Sequence, residues 1–163
     1  MEELKIDKSE TVCFTGHREI EPRKASELKV NLRRTIIKFY EDGFTNFLTG
    51  MALGFDIMAA KIVLDLKEEC PEIVLICVVP FAGQADRWFP SKLQEYEQIL
   101  DEADQVITLS QHYYQGCEMT RNRFMLDHSD GVIAYYDGIR TGGTAFTYKA
   151  AVKSGRESVN LYK

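Results

Sequence analysis

Apolar residues in this chain fall into short unbroken runs that alternate with longer stretches at helical spacing. Thr11-Val12-Cys13-Phe14-Thr15 is a buried-strand pattern that stops at Gly16-His17-Arg18. Pro22 opens a helix in which Leu28, Leu32, Ile36, Phe39 and Tyr40 recur on one face, closed by Glu41-Asp42-Gly43. A second strand is predicted over 44–48. It breaks at 49–56, and a helix from about Asp56 to Glu69 follows. That helix is apolar almost all round, which predicts packing on more than one side. The β-branched run 73–79 reads as a strand from the interior of a parallel sheet and stops at Pro80-Phe81. After a loop bearing Trp88, the residues Leu93, Tyr96 and Leu100 mark an amphipathic helix. A fourth strand is predicted over 104–109, then a polar and aromatic stretch over 110–116. Next comes a helix over 119–127 with Arg121, Met125 and His128 roughly on one face. The run 131–136 is a fifth strand. A turn, Arg140-Thr141-Gly142-Gly143-Thr144, leads into a helix over 145–152, which Gly155 ends, and 157–162 is a sixth strand.

This strict alternation of strand and helix predicts one domain over 1–163. Its economical form is a doubly wound, mostly parallel sheet of about six strands with helices on both faces. In such sheets ligands bind beyond the carboxyl ends of the strands, at the point where strand order reverses. That edge would gather Gly16-His17-Arg18, Thr49-Gly50-Met51-Ala52, Pro80-Phe81 and Thr141-Gly142-Gly143-Thr144 in one crevice. The last stretch joins a strand to a helix start, whose unpaired amides suit an anion, with Thr144 as a ligand contact or N-cap. Arg18 suits a phosphate clamp, and His17 a donor to phosphate or ribose. Thr49 to Ala52 fit either amide presentation to a ribose phosphate or a plain βα turn. Asp56 fits either a ribose hydroxyl or the cap of the second helix. Phe81 and Trp88 offer stacking faces for a base or packing against the core.

With 163 residues, nearly half of them apolar, the chain is long enough for one substantial core. A net charge of -5 argues against a general nucleic-acid binder. Cys13, Cys70, Cys77 and Cys117 have no metal or redox spacing and read as reduced thiols of a cytoplasmic protein. His112 and His128 have no ligating company, so no metal is assigned. Residues 1–5 carry no apolar leader, and no run approaches membrane-spanning length.

The blocks Thr15 to Arg18, Thr49 to Asp56, Arg121 to Met125, Ser129-Asp130 and Gly142 to Thr144 resemble, in order and spacing, the SLOG superfamily of Rossmann-like domains. Within it, the nearest resemblance is to YpsA-like proteins, over nearly the whole chain. The resemblance implies a nucleotide or ADP-ribose-like ligand across the crevice, in a sensor or regulatory protein, and points to a homodimer. It implies no settled chemistry and no certain cofactor. Asn122 enters the candidate site on the same resemblance.

Two other branches define alternatives. The LOG phosphoribohydrolases place an arginine and a methionine at Arg121 and Met125, and a Gly-Thr pair at Gly143-Thr144. That makes Arg121 the candidate catalytic residue of a nucleotide N-glycosidic hydrolase. Their glutamate, however, falls on Thr147, which cannot replace its charge, and their leading proline is missing. The DprA branch shares Arg121-Asn122-Arg123 and the 49–56 turn, and implies single-stranded DNA. That ligand needs a basic groove with aromatics such as Phe81, Trp88, Tyr113 and Tyr114.

Overall fold

The computed structural model describes residues 6–163, so the expectation for residues 1–5 lies outside the described residues. Six strands form one sheet in the order β4-β3-β2-β1-β5-β6. They are β1 (Thr11–Gly16), β2 (Asn46–Thr49), β3 (Val74–Val79), β4 (Gln105–Thr108), β5 (Gly131–Tyr135) and β6 (Glu157–Asn160). Every neighbouring pair is parallel. The predicted doubly wound sheet is therefore present. The order reverses between β1 and β5, where Cys13 lies opposite Val132 and Gly16 opposite Tyr135.

The helices are α1 (Pro22–Glu41), α2 (Phe55–Asp65), α3 (Pro90–Glu102), α4 (Cys117–Asp127) and α5 (Gly143–Lys153). The first three cover one face, where Phe14, Phe47 and Phe55 anchor the larger cluster with Leu32, Ile36 and Leu66. On the other face α4 and α5 pack over Cys13, Leu48, Val78 and Val132. Successive side chains of β1 point to opposite clusters, as strand geometry requires. Phe14 is fully buried, stacked on Phe47 with ring centroids 5.9 Å apart and meeting Phe55 edge-on at 6.2 Å. Both faces of β1 and β5 are buried, which explains why their sequences carry no polar alternation.

Several boundaries differ from the sequence expectation. The second strand starts at Asn46 rather than Phe44, because the Phe44 amide donates back to Phe39 O and completes the end of α1. The second helix ends at Asp65 rather than Glu69. Leu66 is its buried C-cap, and the charged residues after it carry no apolar face to hold against the core. The sixth strand ends at Asn160, whose side chain takes over pairing: its Nδ2 donates to Tyr136 O and its Oδ1 accepts from the Tyr136 amide. Among the described residues no helix is long and apolar enough to cross a membrane.

Candidate functional site

A crevice of about 460 Å3 opens at the carboxyl ends of β1 and β5, where the strand order reverses. This lies within the ~300–1,000 Å3 typical of small-molecule sites. Its walls come from the ends of β1 and β2 and the starts of α2, α4 and α5. Those three helices share a local feature. Their N-caps are Gly54, Gly116 and Gly142, and none receives a side-chain capping bond. At α5, the amides of Gly143, Thr144 and Ala145 find no acceptor among the described residues. Such a turn presents free donors and a partial positive charge to the cavity.

Arg121 lies at the centre. It projects from α4 and is only 6% exposed. Its Nη1 donates to Gly50 O at 2.7 Å and its Nε to Asn122 Oδ1 at 2.8 Å. The arginine reaches Gly50 only because that residue lacks a side chain: a Cβ there would sit 2.8 Å from the guanidinium. Burial pushes the Arg121 pKa down, while Asp56 and Glu118 oppose the shift.

Asp56, in the first turn of α2, is 5% exposed. Its Oδ2 accepts the Ala52 amide at 3.3 Å, and its Oδ1 is buried with no partner. Burial raises this carboxyl to about 6, against the lowering effects of Arg121, the Ala52 amide and Arg18. Asp56 therefore does not cap α2, the alternative its sequence position allowed; Gly54 is the N-cap. Thr144 likewise lies within the first turn of α5 rather than at its cap, which is Gly142.

His17 is buried, and its Nε2 accepts the Asp137 amide at 2.9 Å. The 3.4 Å approach of Asp137 Oδ1 to the same nitrogen is therefore no ion pair. Burial lowers the His17 pKa first, Asp137 pulls it up, and Arg140 lowers it again, so the neutral ring is favoured. With Nε2 accepting, the ring proton sits on Nδ1, the one nitrogen left to donate to a ligand. Asp137 also accepts the Ile139 and Arg140 amides, each at 2.9 Å, which shapes the turn leading to α5. Arg18 is exposed at the mouth, where its Nη2 meets Glu118 Oε2 at 2.9 Å.

The crevice thus brings together Gly16, His17, Arg18, Ala52, Asp56, Arg121, Asn122, Thr141, Gly143 and Thr144, all expected from the sequence. Other candidates support it without lining it. Thr49 is buried, its Oγ1 donating to Asp56 O at 3.1 Å and accepting the Met51 amide at 3.3 Å. Met51 is fully buried with φ of 59°, a conformation uncommon outside glycine. Gly50 receives Arg121, Pro80 is buried at the end of β3, and Gly142 sets the start of α5. Phe81 packs edge-on to Tyr113 and lines a small adjoining hollow. Trp88 meets Tyr96 in the same way, at 5.1 Å. Thr147 is buried within α5 and does not line the crevice.

The sequence reading missed Glu118 as a lining residue, and it named Arg140 only as the start of the 140–144 turn and Tyr113 only as an aromatic for a nucleic-acid groove. The Gly116-Cys117-Glu118 order, an acidic residue just after a helix-starting glycine, is the one signal that would have drawn attention to Glu118.

A family model described as the YspA SLOG family matches residues 12–162. The chain belongs to this family. SLOG membership agrees with the resemblance carried by the turn and helix-start motifs. The UPF0398 protein of Bacillus thuringiensis (strain Al Hakam) is 32% identical over 130 residues, covering 78% of this chain and 71% of that protein. A UPF0398 protein of Bacillus cereus (strain ATCC 14579) is 31% identical over the same length. Among solved structures, the X-ray structure of TM1055 superposes with a TM-score of 0.54 at 16% identity, over 91% of this chain and 72% of that one. That likeness is one of fold. It sets this SLOG chain among α/β structures with a Rossmann-like parallel sheet.

Proposed function

We propose that this protein binds a nucleotide or an ADP-ribose-like derivative in the crevice and serves as a sensor or regulatory module. One observation carries the reading: the unpartnered first-turn amides of α5 share the cavity with a buried arginine and a buried, unpartnered carboxylate oxygen. The amides and Arg140 receive a phosphate, for which a helix N-terminus supplies both donors and charge. Asp56 Oδ1 accepts a ribose hydroxyl, which relieves an acceptor that folding leaves bare. Family membership and the reversal of strand order support the same placement.

The test is a thermal-shift and calorimetric panel of AMP, ADP, ATP, NAD, ADP-ribose and cyclic nucleotides, with Arg18→Ala and Thr144→Val beside the parent. A ligand at 100 times its Kd adds about 2.7 kcal/mol, and each kcal/mol moves Tm by roughly 2–4 °C in a domain of this size. A shift with one ligand, reduced in both variants, is the expected result. No binding below millimolar concentration across the panel ends the proposal.

A second reading, hydrolysis of a nucleotide N-glycosidic bond, rests on Asp56. A carboxyl raised to about 6 next to a buried arginine is poised to exchange a proton near neutral pH. It would supply the acid–base group that Thr147, away from the crevice, does not. Base release from nucleoside monophosphates, abolished in Asp56→Asn and Arg121→Ala, is its signature. Absence of turnover with any nucleotide that binds removes it.

A further inference from the structure

A second concavity of about 650 Å3 lies on the opposite side of Arg18, between the starts of α1 and α3 and the outer face of α2. Its floor is aliphatic and aromatic: Ile20, Leu53, Ile57, Met58, Ile62 and Trp88. Phe89, at its edge, is 81% exposed, a large apolar side chain with little to gain from that position in the isolated chain. The rim carries Arg18, Lys29, Lys61 and Lys92 against only Asp65 and Glu95, in a chain whose net charge is -5. Lys61 pairs with Glu95 at 3.3 Å and Arg18 with Glu118 at 2.9 Å, whereas Lys29 and Lys92 have no ion-pair partner among the described residues.

We propose that this groove docks an acidic amphipathic segment of a partner protein, laid helix-in-groove with its apolar face on the floor and its carboxylates against Lys29 and Lys92. An amphipathic helix presents its apolar anchors on one face at i, i+3 or i+4 and i+7, which an apolar floor can receive. Charge selects the occupant. A second copy docked through the same groove by a two-fold axis would bring one net-positive rim against another, which is unfavourable. Single-stranded nucleic acid fits less well, because the mostly aliphatic floor offers few faces for base stacking. An acidic amphipathic helix satisfies floor and rim together. The nucleotide crevice is a separate cavity, and Phe89 and Lys92 lie outside it, so failure here leaves the nucleotide reading standing.

Trp88 is the sole tryptophan and lines the groove, so its fluorescence reports occupancy directly. A displayed library of 16-residue peptides is selected on the parent protein and counter-selected on Phe89→Ala/Lys92→Glu. Both positions are exposed, so the variant keeps the fold, as circular dichroism checks. The expected consensus has apolar residues at helical spacing flanked by Asp or Glu. Its synthetic peptide should shift Trp88 emission in the parent and bind Lys92→Glu about tenfold more weakly, with affinity recovered when one peptide Glu is changed to Lys. No consensus, a consensus without acidic positions, or equal affinity for the variant overturns the proposal. So does an oligothymidylate that perturbs Trp88 where the peptide does not.

Discussion

Asp56 carries opposite obligations to fold and to site. Its carboxyl is raised from 3.8 to about 6 by burial. Between those values the folded chain holds more protons than the unfolded chain, so Asp56 makes stability fall as pH rises through the window. The cost is absent below the lower value and complete above the upper one. Asp56→Asn keeps an acceptor for the Ala52 amide and removes the buried charge. It is expected to flatten this part of the pH profile and to be about 1–2 kcal/mol more stable than the parent at neutral pH, while losing affinity for the proposed nucleotide ligand. Urea titrations across the acid-to-neutral range check it; a variant less stable than the parent at every pH contradicts the assignment. His17 has the reverse sign. Its lowered pKa means stability is lost as pH falls below its ordinary value of 6.5, in parent and variant alike, so the comparison isolates Asp56. Gly50 is the other residue-scale test. Gly50→Ala places a Cβ against the buried Arg121 side chain and should cost about 1–3 kcal/mol by denaturant titration, with weaker binding of the proposed nucleotide ligand.

At the scale of elements, the start of α5 depends on one backbone conformation. Gly142 has φ 120° and ψ -158°, a region open in practice to glycine alone. Gly142→Ala is expected to cost on the order of 1–3 kcal/mol and to weaken the proposed nucleotide binding by misaligning the first-turn amides. Calorimetry beside a denaturant curve separates the two effects; unchanged stability would show that the turn tolerates a side chain. The strands and most helices were legible because runs of β-branched residues and 3.6-residue periodicity report burial directly. α4 was legible as a helix over 119–127, but its periodicity does not tell the core face from the crevice face. Arg121, Asn122, Met125 and Leu126 are all buried, but the first two face the crevice and the second two the core, so polar and apolar residues share the buried surface. Arg123, by contrast, is exposed and lies over the Phe146 ring at 5.5 Å.

For the molecule as a whole, burial of four reduced thiols gives a readout of global opening. Cys13, Cys70, Cys77 and Cys117 are all buried, and burial pushes Cys13 and Cys77 up to about 12. Burial should leave all four nearly inert to alkylation in the folded state, and Cys13 and Cys77 are in addition held as thiols at neutral pH. Mass-resolved labelling should follow the denaturant dependence of unfolding for all four together. One thiol that reacts quickly in native buffer would show that its element opens locally.

The linear order of residues by itself determined the alternation of strands and helices, and with it the choice of a parallel doubly wound sheet. Local periodicity and chain connectivity leave few other ways to bury those runs. It also placed Gly16 to Arg18, the 49–56 turn and the 141–144 turn near one edge, because βα turns of a parallel sheet all end on the same side. Tertiary structure alone decided which residues face the cavity. Thr49 and Met51 turn into the core, Arg121 reaches a carbonyl 71 positions away in sequence, and Glu118 meets Arg18 across the mouth. These pairings join segments distant along the chain, and no local pattern encodes them. The raised carboxyl of Asp56 and the basic rim of the outer groove have the same origin. Each depends on which neighbours the fold places around a charge, and on how much water it leaves there.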